Sequence, residues 1–228
     1  YAFWRTYTPI YTAARNIPDG SEAVPSTYLL TTSTIIPQVR SSPDSLGRLH
    51  VLYNGGYEGM EVFYAVWSPS PDSGFTTEYE WIIEGADDGG VILVDENRVH
   101  VVVQDSLVHN YLYTQYDLEG NTVIPMWDFT STEYYYSSRF PELTTDCEGN
   151  LLIVSLIDDP SQGYRYGLWK LHGETGELLI DCETIVGQGS PEPWVSPSFV
   201  LRPLPGKQEF YLAWSEGMSV SKVYFLVF

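Results

Sequence analysis

Basic residues are scarce in this chain. Thirty carboxylates face eleven bases, only three of them lysine (Lys170, Lys207 and Lys222), for a formal net charge of −19. A field of that sign repels a nucleic-acid backbone and an anionic membrane surface, so neither is an expected partner; cations and neutral ligands remain compatible. Cysteine is nearly absent. Cys147 and Cys182 carry neither CxxC nor metal spacing, and the sequence leaves their pairing open. No apolar run approaches the roughly 20 residues of a membrane span; the closing run, Val223 to Phe228, is a strand's length. Phosphate-loop, dinucleotide and Gly-x-Ser-x-Gly signatures are missing, and no segment has a convincing helical pattern.

Aromatic and β-branched residues are abundant instead. Eighteen Tyr and seven Trp fall, with Val, Ile and Thr, in short alternating runs broken by Pro, Gly, Asp and Ser. A length of 228 residues suits one well-buried all-β domain. Four turns introduce similar strands: Gly47-Arg48-Leu49-His50-Val51, Asn97-Arg98-Val99-His100-Val101, Gly149-Asn150-Leu151-Leu152-Ile153 and the stretch from Gly206 to Trp214. They recur every 50 to 57 residues. A repeat of that length built from short strands implies a radial or stacked β architecture, most often a propeller.

The expected fold is therefore an all-β, small β-propeller in one domain. Four units follow from the turns: residues 33–83, 84–128, 129–185 and 186–228. The fourth lacks an outer strand, and residues 1–32 read as the segment that closes it from the N-terminus, removing an exposed sheet edge. Five blades would require further strands within residues 18–44, and a segment of a larger propeller is the third arrangement.

Between the third and outer strands of unit one stands Ser70-Pro71-Asp72-Ser73-Gly74-Phe75-Thr76, matching S-x-D-x-G-x-T. It resembles the Asp-box, or BNR repeat, of sialidase-like propellers, in which the carboxylate locks a tight turn that glycine completes. That resemblance implies a propeller and no activity of its own. The sialidase catalytic set of three arginines, a Tyr/Glu pair and an acidic residue is not matched: Arg15-Asn16-Ile17-Pro18 is similar to the family's Arg-Ile-Pro but carries an inserted Asn.

Candidate ligand-binding residues are of two kinds. Tyr134, Tyr135 and Tyr136 precede unit three and Trp194 lies in the connection to unit four; aromatic rings on loops suit sugar faces or protein partners. Arg48 with His50, and Arg98 with His100, occupy equivalent positions two apart on a strand, hence on one face. No catalytic residue stands out, and whether the chain is an enzyme is left open. The four histidines (His50, His100, His109 and His172) lack zinc spacing. No cofactor is implied, although Asp87-Asp88, Asp95-Glu96 and Asp158-Asp159 are the oxygen-rich pairs a calcium ion would use. The expected role is an extracellular or cell-surface binding module for a glycan or protein partner. Little lysine, abundant Tyr, Ser and Thr, and a first residue that is not methionine point to that location and to a processed product. The competing readings are a structural subunit that self-assembles and a glycoside-active propeller enzyme using two facing carboxylates.

Overall fold

The chain alternates apolar and polar residues, and it folds into strands. A computed structural model describes residues 2–5, 10–15, 22–30, 39–55, 61–70, 74–86, 88–105, 110–130, 135–136, 141–159, 163–186, 199–203, 209–216 and 222–227. These hold nineteen strands in five antiparallel sheets and no helix. The N-terminal sheet comprises β1 (Ala2–Arg5), β2 (Ile10–Arg15) and β3 (Glu22–Leu30). Unit one is β4 (Val39–Pro43), β5 (Leu49–Gly55), β6 (Glu61–Ser70) and β7 (Gly74–Ile82). Unit two is β8 (Asp88–Val94), β9 (Arg98–Asp105), β10 (Asn110–Asp117) and β11 (Thr122–Asp128). Unit three opens with β12 (Tyr135–Tyr136) and β13 (Glu142–Thr145), and continues through β14 (Leu151–Asp159), β15 (Gly163–Leu171) and β16 (Leu178–Val186). Unit four is β17 (Phe199–Pro203), β18 (Phe210–Glu216) and β19 (Lys222–Val227). Each sheet is a meander in which neighbours in sequence pair, except that β12 pairs with β14.

The closing role expected of residues 1–32 is not what the pairing gives. β1, β2 and β3 hydrogen-bond with one another, and β19 pairs with β18. Within β3, Pro25 interrupts the alternation of apolar and polar residues. The ladder accommodates the proline as irregular pairing: Thr12 faces Thr27 and Ala14 faces Val24, which leaves Pro25 and Ser26 between two registers.

Unit three carries a second irregularity. β12 and β13 both pair with β14 and share its inner edge. Tyr136 faces Ile157 and Glu142 faces Val154, so five residues stand between the two strands where β14 offers two. The innermost strand of this sheet is thus interrupted.

The chain divides into two compact bodies: residues 1–103 with 116–121, and residues 104–115 with 122–228. In the first, Leu49, Val51, Tyr53, Ala65, Trp67 and Phe75 form a buried cluster flanked by Val39 and Phe63. Tyr64 is wholly buried, stacked on Tyr116 at 5.2 Å and tilted against Trp81 at 4.6 Å. In the second body, Leu152, Val154, Leu156, Tyr166 and Leu168 pack with Leu201, Phe210 and Leu212. Outer strands turn polar: Thr76, Thr77, Glu78 and Glu80 on β7, and Asp181, Glu183 and Thr184 on β16, are exposed. Charge on an edge discourages pairing with a second chain. Cys147 and Cys182 are both free thiols.

Two turn glycines separate backbone strain from crowding. Gly149 (φ 80°) and Gly120 (φ 85°) are both left-handed. A Cβ on Gly149 would meet nothing within 4 Å, whereas on Gly120 it would lie 2.6 Å from the Trp81 ring. Gly149→Ala should lose about 1–2 kcal/mol from the left-handed backbone alone. Gly120→Ala should lose clearly more. Urea denaturation of both variants checks this, and equal losses would contradict it.

Candidate functional site

Four aspartates organise one end of the sheets. Asp44, at the β4–β5 hairpin, accepts the N–H groups of Leu46 and Arg48 at its Oδ1, each at 2.9 Å. Asp146, at the β13–β14 hairpin, accepts from Glu148 and Asn150 at 2.9 and 2.8 Å. Asp117, between β10 and β11, accepts from Glu119 and Asn121 at 3.0 and 2.7 Å. Asp95, between β8 and β9, takes Asn97 and Arg98 at 3.1 and 2.8 Å in a turn one residue shorter. At the β15–β16 hairpin His172 substitutes, its Nδ1 accepting from Glu174 at 3.2 Å. Where glycine follows three residues after the acceptor, it adopts positive φ: Gly47, Gly120 and Gly149. This is a turn closed by a left-handed residue, held by a side chain that satisfies backbone donors. The signal is Asp-x-x-Gly-[Asn/Arg], present at Asp44, Asp117 and Asp146. A reading keyed to the glycine and the apolar run after it missed the carboxylate.

The Arg/His positions belong to this machinery. Arg48 Nε donates to Asp44 Oδ2 at 2.7 Å, and its Nη2 reaches the Leu118 carbonyl at 3.1 Å. Tyr79 donates its hydroxyl to the same carbonyl at 2.9 Å. His50 is fully buried. Its Nε2 faces Asp44 Oδ2 at 3.4 Å and its Nδ1 faces the Tyr64 hydroxyl at 2.6 Å. An ionised carboxylate only accepts, so the ring proton sits on Nε2 and Nδ1 accepts from Tyr64. This Asp–His–Tyr relay ends in the packed interior and reaches no accessible nucleophile. His100 is likewise buried and bonds Asp95 at 3.0 Å. Each Arg/His pair is tied to the aspartate of its own turn.

The aromatic candidates lie elsewhere. Tyr134 and Trp194 fall outside the described residues; Tyr135 and Tyr136 form β12. They were expected in a loop, and sheet pairing places them on a ladder. In a meander, hairpins one–two and three–four lie at one end and hairpin two–three at the other. The aspartate turns occupy the first end. The tyrosines pair at the second, beside the β14–β15 hairpin: Tyr135 faces Asp158, and Asp158 faces Tyr164. Directly opposed positions share a face, so Tyr135, Asp158 and Tyr164 form one cross-strand row. Tyr136, Ile157 and Arg165 form the next row, on the other face. Asp158 and Tyr164 are individually visible in the sequence, but their alignment with Tyr135 depends on register.

Among the described residues, no group of three or more His, Cys, Asp or Glu side chains is placed to hold a metal ion. Of the pairs suited to calcium, Asp95 spends its carboxylate on its turn and on His100, and Asp87 lies outside the described residues.

No protein-family model matches this chain, and no curated protein matches it. Solved structures do. A subtype N10 neuraminidase-like protein of A/little yellow-shouldered bat/Guatemala/060/2010 superposes with a TM-score of 0.51 at 10% identity, over 83% of this chain and 55% of that one. The α-L-arabinanase of Penicillium chrysogenum, solved with arabinobiose, superposes with a TM-score of 0.55 at 13% identity, over 96% of this chain and 69% of its own. The chain thus spans about half the length of the first and two thirds of the second. The fold is that of a β-propeller.

Stability should fall with acid in two stages. Burial holds the His50 imidazole below its ordinary value. The unfolded chain therefore takes up a proton first, and stability declines as pH falls below about 6.5. Burial alone would raise the carboxyls of Asp44, Asp95, Asp117 and Asp146, but hydrogen bonds from their turns and partners outweigh it and hold all four low. Their contribution, present above the ordinary carboxylate range, is lost as pH falls below about 4. Thermal melts at pH 8, 5.5 and 3.5 should descend in that order, and His50→Gln should flatten the first step. A melting temperature unchanged from pH 8 to 5.5 would count against the His50 account.

Proposed function

We propose that this chain is a glycan-binding propeller module of five blades, working outside the cell or at its surface. One observation carries the reading: the row Tyr135, Asp158, Tyr164 at the end of unit three remote from the aspartate turns. Aromatic rings offer an apolar face with a polar handle, matching the C–H face and hydroxyls of a pyranose or furanose. A carboxylate between them accepts two hydroxyl protons in charge-assisted bonds. Division of labour within the sheet supports the choice of end, since rigid turns at one end leave the other for variable loops. Tyr134 and Trp194 fall, in sequence, on the connections entering units three and four. Five sheets, with β3 and β4 inside residues 18–44, support the blade count. Likeness to an arabinanase solved with a bound saccharide supports a sugar ligand. Neither a cofactor nor calcium is needed for this role.

The same likeness favours a second reading, hydrolysis of the bound glycan. It requires a facing pair of carboxylates about 5–10 Å apart. Incubation with arabinan and assay of reducing ends tests it: release would make the module an enzyme, and none would leave it a binder.

For the binding reading, a glycan array of the purified chain should give selective binding. Tyr135→Ala or Tyr164→Ala should weaken it roughly 30-fold, the loss that goes with a central aromatic anchor. Arg48→Lys, at the opposite end, should leave it unchanged. A blank array, or equal loss in all three variants, would sink the proposal.

A further inference from the structure

A net charge of −19, from thirty carboxylates against eleven bases, repels anions and draws cations toward the chain. Long-range attraction selects nothing by itself; a short-range site must receive the charge. The row that carries the glycan reading has that form. Asp158 faces Tyr135 across one ladder and Tyr164 across the other. One same-face step inward, Leu156 faces Tyr166, and both are buried. Arg165, the base adjoining in register, stands in the next row on the opposite face. Within the described ladder, Asp158 is thus flanked by aromatic residues and has no base beside it on its own face.

A second aromatic row stands across from it. Leu156 and Tyr166 pack in one buried cluster with Leu201 and Leu212 of unit four, so this face of unit three is turned toward that unit. In unit four Leu201 pairs with Leu212, and Leu212 with Leu226. One same-face step toward the tyrosine end, Phe199 pairs with Trp214, and Trp214 with Tyr224. The two rows therefore occupy matching positions on facing sheets, just beyond the packed core, with five aromatic residues and one carboxylate between them. The face of an aromatic ring attracts a cation through its quadrupole, and a carboxylate adds the countercharge. An ammonium carried on a sugar would use the ring faces, the carboxylate and the long-range field at once.

We propose that these two rows form an ammonium subsite and that the ligand is an amino saccharide with free amines, whose ammonium pairs with Asp158 against the flanking rings. This rests on the glycan reading above, with an ammonium in place of one sugar hydroxyl at the carboxylate. The field of the chain favours such a ligand at long range, so its advantage weakens as salt screens the attraction.

The test is calorimetric titration near pH 6, where amines of ordinary basicity are protonated. Three oligomers of equal length are compared: glucosamine with free amines, its fully N-acetylated counterpart, and oligolysine. The free amine should bind about 10- to 100-fold more tightly than the acetylated form, the range for a charge-assisted bond. Oligolysine, which has the charge and no sugar, should bind no better than the acetylated form. Asp158→Asn should bring the free amine down to the acetylated level and leave acetylated binding intact, and Asp158→Glu should keep most of the preference. Equal binding of the two sugars by the parent protein would overturn the ammonium subsite and leave the glycan reading standing. Oligolysine binding as tight as that of the free amine would overturn the choice of a saccharide. A preference that survives Asp158→Asn would overturn the assignment to Asp158. Failure of both sugars to bind, beside a positive glycan array, would overturn this inference alone; beside a blank array it would overturn both proposals. Melting separates a structural role: Asp158→Asn should melt no lower than the parent, and a marked fall would overturn the subsite.

Discussion

A carboxylate that accepts the N–H groups of its own turn is the interaction on which the fold depends. Strands buried on both faces hold register poorly by apolar packing alone, because a slip of one residue exchanges one apolar face for the other. Asp44, Asp95, Asp117 and Asp146 pin their own hairpins. The continuous burial along β5, β9 and β14 is then set by where each strand starts. His172 does the same task with an imidazole, which identifies the requirement as a short-range acceptor and not a charge.

From those turns the electrostatics of the interior follow. Arg48, His50 and Lys170 stand beside the aspartates and give the low-lying carboxyls partners. Arg48 goes further, gripping the Leu118 carbonyl within the Asp117 turn, so that one locked turn holds the next. Residues that look like a ligand-binding pair in sequence are thus tied to the aspartates of their own turns, and Arg48 also joins two sheets of the first body. At the opposite end Asp128 accepts from Thr130 and Asn110, and in unit three Tyr135, Asp158 and Tyr164 come into register.

Much of the architecture is legible in the sequence, because period-two alternation reports burial directly. Apart from β12, the strands of units one to four are visible that way, and so are the Asn97 and Gly149 turns. β3 is not, because Pro25 breaks its pattern and only the irregular pairing with β2 accommodates it. The aspartate turns are written as a spacing of four or five residues, but a spacing gains meaning only once the bonds are seen. The row through Tyr135, Asp158 and Tyr164 could not be read at all: its members lie 23 and 6 residues apart, and cross-strand register alone aligns them. The facing row through Phe199, Trp214 and Tyr224 depends on register in the same way.

The interrupted inner strand of unit three has a consequence for how such a protein changes over generations. Five residues occupy a gap that two would span, yet the ladder resumes in register on both sides. A ladder that keeps its pairing across this mismatch should absorb a change of length there without disturbing β14, β15 or the turn at Asp146. The segment is a place where ancestry can rewrite recognition at little risk to folding, and where grafting a foreign peptide would be tolerated soonest.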